Sequence, residues 1–395
     1  MSKKLMVLGA SYTQIPLFQA ARRIGVHTIA ASIPGNYAGF SYADEIAYVN
    51  IADPIKVLDA AREREADGVA TCGLDLGMAA IGEVSETLKL SGPPRAAARA
   101  ASNKLLMKQC FVKADVQTAP FQVIYSRQDL TKAAQTLTFP LVIKAVDQMG
   151  SRGVFRCDSP EDLEKNYTRT MEATNCDYCI VEEFIEGTLF GCEAMIENGK
   201  ILFMMPDNTE AFLSAVPTPI GHSVPFEKEA ELGAQVREQV TKAIDALGLD
   251  NCPVNCDLIR TEDQVWVVEM TGRSGATGLA EIVSDQWGID YYEAIVRVAL
   301  GMDAASLFTH RKDSACIAQT LLSNKTGTLK SIGFAGEKPE GLIDLSFNVK
   351  PGDAIRAYTN GRDRIGQVIL SASTLREARE ELSRLLKGIQ IDLEA

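Results

Sequence analysis

Histidine is scarce in this chain. His27, His222 and His310 are the only three, and they are too scattered to form an evident metal set. Basic residues are outnumbered, 40 against 52 acidic, and the net charge of −12 argues against an extended nucleic-acid-binding surface while allowing a local basic pocket. Apolar runs are short, and none approaches the roughly 18 residues of a membrane-spanning helix. The opening Met-Ser-Lys-Lys-Leu-Met-Val-Leu-Gly begins like a secretion signal. Gly9 and the polar Ser11-Tyr-Thr-Gln cut its apolar run short, so it reads as a first strand. Nine cysteines are an odd number with no secreted-type spacing. Cys72, Cys179, Cys192 and Cys316 sit inside apolar runs, and Cys252 and Cys256 have no second pair, so free thiols in a reducing cytoplasm are expected. Neither a Walker A loop nor G-x-G-x-x-G occurs, which weakens a dinucleotide-binding reading.

What is present is a globular composition, 46% hydrophobic and 23% charged over 395 residues, enough for two or three domains. The first 93 residues alternate strand and helix: Lys4 to Gly9, Ile15 to Ile24, Val26 to Ala31, Ile46 to Val49, Pro54 to Glu65 and Gly68 to Cys72. That alternation predicts a parallel sheet with right-handed crossovers, with ligands at the carboxyl ends of its strands. Gln14 and Asp75 lie at those ends and are candidates for holding a small polar substrate. A surface glutamine and a capping aspartate fit equally well.

Beyond Leu90-Ser-Gly-Pro-Pro-Arg, a second unit covers residues 94–310. Ser102 is a helix N-cap by type, with Lys104 in the first turn. Phe139-Pro-Leu-Val-Ile-Lys144 ends a buried strand in lysine, and Asp147-Gln-Met-Gly-Ser151-Arg-Gly153 follows. A point charge beside glycines that let backbone N–H groups approach is a phosphate cradle in kind. A hairpin turn with chance basic residues fits the segment too. Cys179-Ile-Val-Glu182-Glu183-Phe184-Ile185-Glu-Gly runs from a strand into an acidic linker whose edge suits the exocyclic amine of a base. Pro217-Thr-Pro-Ile-Gly-His222-Ser-Val-Pro reads as a rigid loop, either covering a substrate or joining two strands.

Two apolar strands, Pro253 to Ile259 and Gln264 to Met270, flank the turn Thr261-Glu-Asp and carry one acid each, Asp257 and Glu269. Paired strands bring facing side chains close. Two carboxylates in apolar runs, with Arg273 four residues on, point to a Mg²⁺ site beside a charged substrate. The alternative is a hairpin with its acids on the wet face. Ser274 opens Ser-Gly-Ala-Thr-Gly, the turn into a helix from Leu279 to Trp287 whose N-terminus suits an anion. A tail from residue 311 reads as strand-rich (Ala315 to Leu322, Leu342 to Lys350, Arg364 to Leu370) with a last helix, Leu375 to Leu386.

Lys104, the Lys144 strand with its Gly-Ser-Arg-Gly loop, Val-Glu-Glu-Phe-Ile-Glu-Gly at 181–187, Asn-Cys-Asp257 and Glu269-Met-Thr271-Gly-Arg273 stand in an order that resembles the ATP-grasp superfamily. The nearest likeness is to carboxylate–amine ligases, such as the dipeptide-forming L-amino-acid ligases, and to carbamoyl-phosphate-synthase-like proteins. The resemblance covers roughly residues 1–300. It implies a mixed α/β protein: a Rossmann-like domain over 1–93, an ATP-grasp fold of two α+β subdomains over 94–310 with a lid at about 115–187, and a small β-rich C-terminal subdomain over 311–395.

By position, the resemblance implies that Lys104 and Lys144 hold ATP phosphates, with Ser151 and Gly153 in the lid loop above them. Glu182, Glu183, Phe184 and Ile185 would line the adenine. Asp257 and Glu269 would bind Mg²⁺, for which Mn²⁺ can substitute. Arg273 would steady the transferred phosphoryl group. Where the family usually has a ribose-binding acid this chain has Leu189; either Glu186 or Glu193 would substitute, or the ribose contact would be absent. Where it usually has an asparagine as third metal ligand this chain has Thr271. Gln14, Asp75, His222 and Ser274 would face the other substrates.

The implied reaction is ATP-dependent amide or peptide formation through an acyl phosphate, on small-molecule carboxylates and amines such as amino acids. Two alternatives stand beside it. One phosphorylates bicarbonate, though no biotinyl or glutaminase-like region is present. The other is a nucleotide-binding homologue without catalysis, for which Leu189 and Thr271 speak. A cytoplasmic enzyme with no nucleic-acid or membrane partner is expected, a homodimer being the commonest assembly.

Overall fold

A computed structural model describes residues 2–212 and 218–394. The N-terminal third holds a parallel sheet of β1 (Lys4–Leu8), β2 (His27–Ser32), β3 (Glu45–Tyr48) and β4 (Gly68–Ala70), in the order β3-β2-β1-β4. Leu5, Met6, Val7 and Leu8 are fully buried, as a parallel strand covered on both faces must be. Helices Pro54–Glu63 and Met78–Leu88 cover one face through Val57, Leu58, Ile81 and Val84. Helix Ile15–Arg23 covers the other and packs on helix Tyr291–Ala299 of the central domain, so a single core runs between the two units.

The next unit is a four-stranded antiparallel sheet of β5 (Phe121–Ile124), β6 (Leu141–Ala145), β7 (Val154–Cys157) and β8 (Cys179–Glu183), ordered β5-β8-β6-β7. Its own core, with Ile124, Leu130, Ile143 and Val181, makes it a small body of its own.

The central sheet begins with β9 (Thr188–Glu197), β10 (Lys200–Phe212), β11 (Thr218–Val224), β12 (Cys252–Arg260) and β13 (Val265–Thr271), packed against the helix Glu229–Leu247. The hairpin of β12 and β13 forms where the two apolar runs and the polar turn predict it. The tail, expected as a small β-rich subdomain, is β-rich and is built onto the central sheet. Its β14 (Ala315–Leu321) pairs antiparallel with β11, Ser223 opposite Ile317, and carries the central sheet onward. Strands β15 (Gly327–Phe334), β17 (Ala354–Ile355) and β19 (Ile389–Glu394) form a three-stranded sheet, while β16 (Leu342–Phe347) and β18 (Gly366–Ala372) join the large one. The result is one eight-stranded sheet ordered β13-β12-β9-β10-β11-β14-β18-β16. Helix Leu375–Gly388 covers this end through Ala378, Leu382 and Leu385.

The segment expected as a rigid loop, over the substrate or between two strands, is β11 from residue 218 onward; Pro217 lies outside the described residues. Among the described residues, no helix is long and apolar enough to cross a membrane.

Candidate active site

The cleft between the three units is built from the hairpin outward. Asp257 stands opposite Glu269 in the β12–β13 register, and a bulge follows between Asp257 and Leu258. A bulge bends its strand and re-aims the side chains beside it. Asp257 stands opposite Gly191 on β9, and Gly191 opposite Asp207 on β10, so Glu269, Asp257 and Asp207 share one row across the sheet. Gly191 is glycine for space: a Cβ there would lie 2.5 Å from Asp207 Oδ2. Burial, and then the charge of Glu269, push the Asp257 carboxyl up to about 7. Two facing carboxylates under that strain fit a divalent cation. Among the described residues no group of three or more His, Cys, Asp or Glu side chains is placed to hold a metal unaided, so phosphate oxygens and water would complete its shell.

Lys104 starts the helix Lys104–Lys113. Its N-cap is Asn103, whose Oδ1 accepts from the Leu105 and Leu106 N–H groups at 3.0 and 3.1 Å. The predicted cap, Ser102, instead donates to Ala98 O at 2.7 Å and finishes the preceding helix. Lys104 Nζ lies 2.9 Å from Gln148 O and 3.2 Å from Glu269 Oε2. Burial opposes its charge, but Glu269 outweighs that and holds the ammonium above its usual range. Lys144, at the cleft end of β6, pairs with Glu182 Oε2 at 2.9 Å.

A cavity of 170 Å³ opens between the lid and the hairpin. Lys144, Glu182, Phe184, Ile185, Leu189 and Glu269 are among its walls, as are Lys104, Ser151 and Glu183. Most of the residues expected around phosphates, base and metal therefore line one space. Gly153 does not line it. Its backbone has φ +67°, and a Cβ would lie 2.8 Å from both Ala145 and Ala173, so it is a packing and turn glycine of the lid. Glu193 is absent from that wall as well. It is fully buried, accepting from the Gly275 N–H at 3.0 Å and from the Tyr291 hydroxyl at 3.0 Å. Burial pushes its carboxyl up to about 8. Glu186 is exposed at 77% and faces Arg156, so neither acid lines this cavity. Leu189 lines the cavity in their place.

A second cavity of 120 Å³ adjoins the first, with Asp75, Lys104, Asn255, Asp257, Glu269 and Arg273 among its walls. Arg273 donates from Nε and Nη2 to the two oxygens of Asp75 at 2.6 and 3.0 Å, and from Nη1 to Asn255 Oδ1 at 3.2 Å. Burial opposes the Asp75 charge, and Arg273 overcomes it and keeps the carboxyl below the usual range. Thr271, implied as a metal ligand, donates its hydroxyl to the same Asp75 at 3.0 Å, which turns it toward the N-terminal domain. The Gly73 N–H donates to Ser274 O at 3.2 Å, so the loops after β4 and β13 are tied together.

Three of the four residues expected to face the other substrates do so poorly. Gln14 is 1% exposed; its Oε1 accepts from Ser11 and its Nε2 donates to Cys72 O at 2.8 Å, closing the loop after β1. Ser274 is fully buried, and its hydroxyl has no hydrogen-bond partner among the described residues. His222 is 5% exposed, with Nδ1 2.7 Å from Asp207 Oδ1. Asp75 alone reaches the cleft.

Lys108 was not singled out from the sequence. It follows Lys104 by one helical turn on the same face, and its Nζ lies 3.2 Å from Glu182 Oε2. That spacing after an identified lysine was the available signal. Asp207 gave none, being one acid in an apolar strand.

Residues 137–281 match the ATP-grasp domain model, and residues 319–394 match the L-amino acid ligase C-terminal domain 2. The crystal structure of phosphoribosylglycinamide synthetase from Anaerococcus prevotii is similar over 100% of both chains, with 33% identity and a TM-score of 0.86. This chain belongs to the ATP-grasp superfamily. Formate-dependent phosphoribosylglycinamide formyltransferase of Prochlorococcus marinus (strain NATL2A) is 23% identical over 98% of both chains. L-amino acid ligase from Bacillus licheniformis shares the ATP-grasp fold at a TM-score of 0.85 and 20% identity, over 100% of this chain and 99% of that one. The protein is an ATP-grasp ligase of the carbon–nitrogen bond-forming kind, in a superfamily that uses ATP and Mg²⁺.

Proposed function

We propose that this ATP-grasp ligase joins a small carboxylate to an amine through an acyl phosphate, releasing ADP and phosphate. The observation that carries the reading is the adjoining of two cavities at Glu269 and Asp257. One is walled by the lysines and the linker, the other by Arg273 and Asp75. A nucleotide in the first would direct its terminal phosphate at the boundary, where the second would hold a carboxylate.

In that arrangement Lys104 and Lys144 bind phosphate oxygens. Asp257 and Glu269 would hold Mg²⁺, which would supply positive charge to offset that of the transferring phosphoryl group. An oxygen of the substrate carboxylate forms the new bond to the γ-phosphorus as the bond to the β–γ bridging oxygen breaks. Arg273 steadies the charge that develops on the phosphoryl and acyl oxygens. The amine nitrogen then attacks the acyl carbon, phosphate leaves with the C–O bond electrons, and the amine proton passes to phosphate or water. The lid sheet excludes water that would hydrolyse the acyl phosphate. Asp75, the one acid facing the second cavity from the N-terminal domain, receives the substrate ammonium. Formyl transfer from formate and glycinamide synthesis, the activities in the names of two of the relatives above, are also amide formation, which supports this class. The C-terminal domain match favours amino acids as substrates.

The test is ADP release with Mg²⁺ and ATP across amino acids, formate and simple amines, singly and in pairs, with mass spectrometry of the products. ADP that requires one carboxylate and one amine, with the matching amide, is the expected result. Turnover with bicarbonate alone would overturn the reading.

A further inference from the structure

Lys108 lies 2% exposed behind the nucleotide cavity and is not part of its wall. Its Nζ donates to Thr118 Oγ1 at 2.6 Å and lies 3.5 Å from Ala119 O and 3.2 Å from Glu182 Oε2. The Thr118 hydroxyl in turn donates to Val267 O at 2.7 Å, two residues before Glu269. One ammonium thus connects the helix of Lys104, the segment leading into the lid, the lid strand β8 and the central strand β13.

The charge count around Glu182 is uneven. Two ammonium groups, Lys108 and Lys144, approach the same oxygen, Oε2, of a carboxylate that is 4% exposed. One cation balances that carboxylate; the other is in surplus, and a surplus buried charge is costly until an anion joins it. Lys144 is the one that faces the cavity. It is 12% exposed and forms part of the cavity wall, whereas Lys108 is enclosed and fixed by Thr118.

We propose that Lys108 is a positioning residue: the fixed, enclosed counter-ion of Glu182, which releases Lys144 to the nucleotide phosphates and keeps Glu182 aimed at the exocyclic amine of the base. This rests on the nucleotide reading above. Both lysines approach Oε2, which leaves Oε1 to accept from a ligand N–H. An adenine amine donates there, whereas the 6-oxo group of guanine would meet the carboxylate with its own lone pairs. Without Lys108, Lys144 would have to choose between a buried carboxylate and the phosphates.

The test is a double-mutant cycle read by calorimetric binding of ATP, ADP and GTP to the full chain. Wild-type protein is expected to bind ATP in preference to GTP. Lys108→Met should weaken ATP binding by about tenfold or more and narrow the ATP/GTP ratio. In a Glu182→Gln background the same substitution should change ATP binding by less than about twofold, because the carboxylate it serves is gone. Lys108→Gln keeps a polar N–H donor and loses the charge; it is read in the same way should Lys108→Met not fold. An unchanged ATP/GTP ratio with only a lowered melting temperature would assign Lys108 to stability alone and overturn the proposal. So would an equal effect in both backgrounds. Failure of the wild-type protein to bind ATP would instead overturn the nucleotide reading itself.

Discussion

Arg273 and Asp75 stand 198 positions apart in the chain and meet through two hydrogen bonds, at 2.6 and 3.0 Å. The pair closes the N-terminal domain onto the central hairpin, and Thr271 joins it from the same strand as Glu269. It also sets what each member offers a substrate: a guanidinium with its Nη1 side toward Asn255, and a carboxylate that stays ionised at neutral pH.

Asp75→Asn is therefore expected to raise KM for the amine by about tenfold while leaving KM for ATP within about twofold, since the loss of one charge–charge hydrogen bond is felt only in the second cavity. Initial-rate kinetics with each substrate varied in turn check this. A rise in KM for ATP alone would remove Asp75 from the amine site.

Arg273→Lys keeps the charge and loses the fork that spans both Asp75 oxygens. The expected result is a fall in kcat of about 10²-fold or more, with near-normal nucleotide binding, because the guanidinium acts on charge that appears during transfer. Single-turnover ADP formation separates this from slow product release. Near-normal kcat would show that Arg273 serves only to hold the domains together.

Asp257 and Glu269 face each other across the hairpin, with Lys104 Nζ 3.2 Å from Glu269, and either carboxylate alone should hold Mg²⁺ poorly. Glu269→Gln is expected to raise the Mg²⁺ concentration needed for half-maximal rate by about tenfold and to lower the saturated rate. Rates measured over a Mg²⁺ titration at fixed ATP give both quantities. An unchanged Mg²⁺ dependence would place the metal elsewhere.

How far the sequence could be read follows the range of the interactions. The parallel sheet, the lid and the β12–β13 hairpin are local patterns of apolar runs and turns, and they form as the runs predict. Asp257 and Glu269 were legible because a short hairpin fixes their register. The β15 and β19 strands were not, because they pair with each other across more than fifty positions of the chain. Glu193 was misread for a related reason. Its place in the order of residues suggested the ribose, but its contact with Gly275 is 82 positions away and set by the packing of β9 under the Arg273 turn. Gln14 and Ser274 went the same way, spent on closing loops in three dimensions. Lys108 was legible by helical spacing alone, but its worth lies in Glu182, a partner that only the fold supplies.

Gly191 sits between two acids of the row. Gly191→Ala places a methyl group 2.5 Å from Asp207 Oδ2, and Asp207 is held by His222 on its other oxygen and cannot turn away freely. The substitution is expected to cost about 1–3 kcal/mol of stability, measured by denaturant unfolding. A neutral result would mean that the Asp207–His222 pair shifts as a unit.

Glu193 gives a pH dependence with a definite sign. Burial raises its carboxyl from an ordinary 4.5 to about 8 in the folded protein. Between those values the folded state keeps a proton that the unfolded state has lost. Stability from this group is therefore full below pH 4.5, falls as pH rises, and is gone above about 8, at a slope of up to about 1.4 kcal/mol per pH unit. Glu193→Gln retains a carbonyl oxygen for the Gly275 N–H and carries no titrating group. Melting temperatures of the two proteins, taken at half-unit steps from pH 5 to 8.5, should diverge as pH rises, with the glutamine variant gaining on the wild type throughout. Curves that stay parallel would mean that Glu193 is ionised in the fold, with the Gly275 N–H, the Tyr291 hydroxyl and the nearby Arg273 charge together enough to hold the anion.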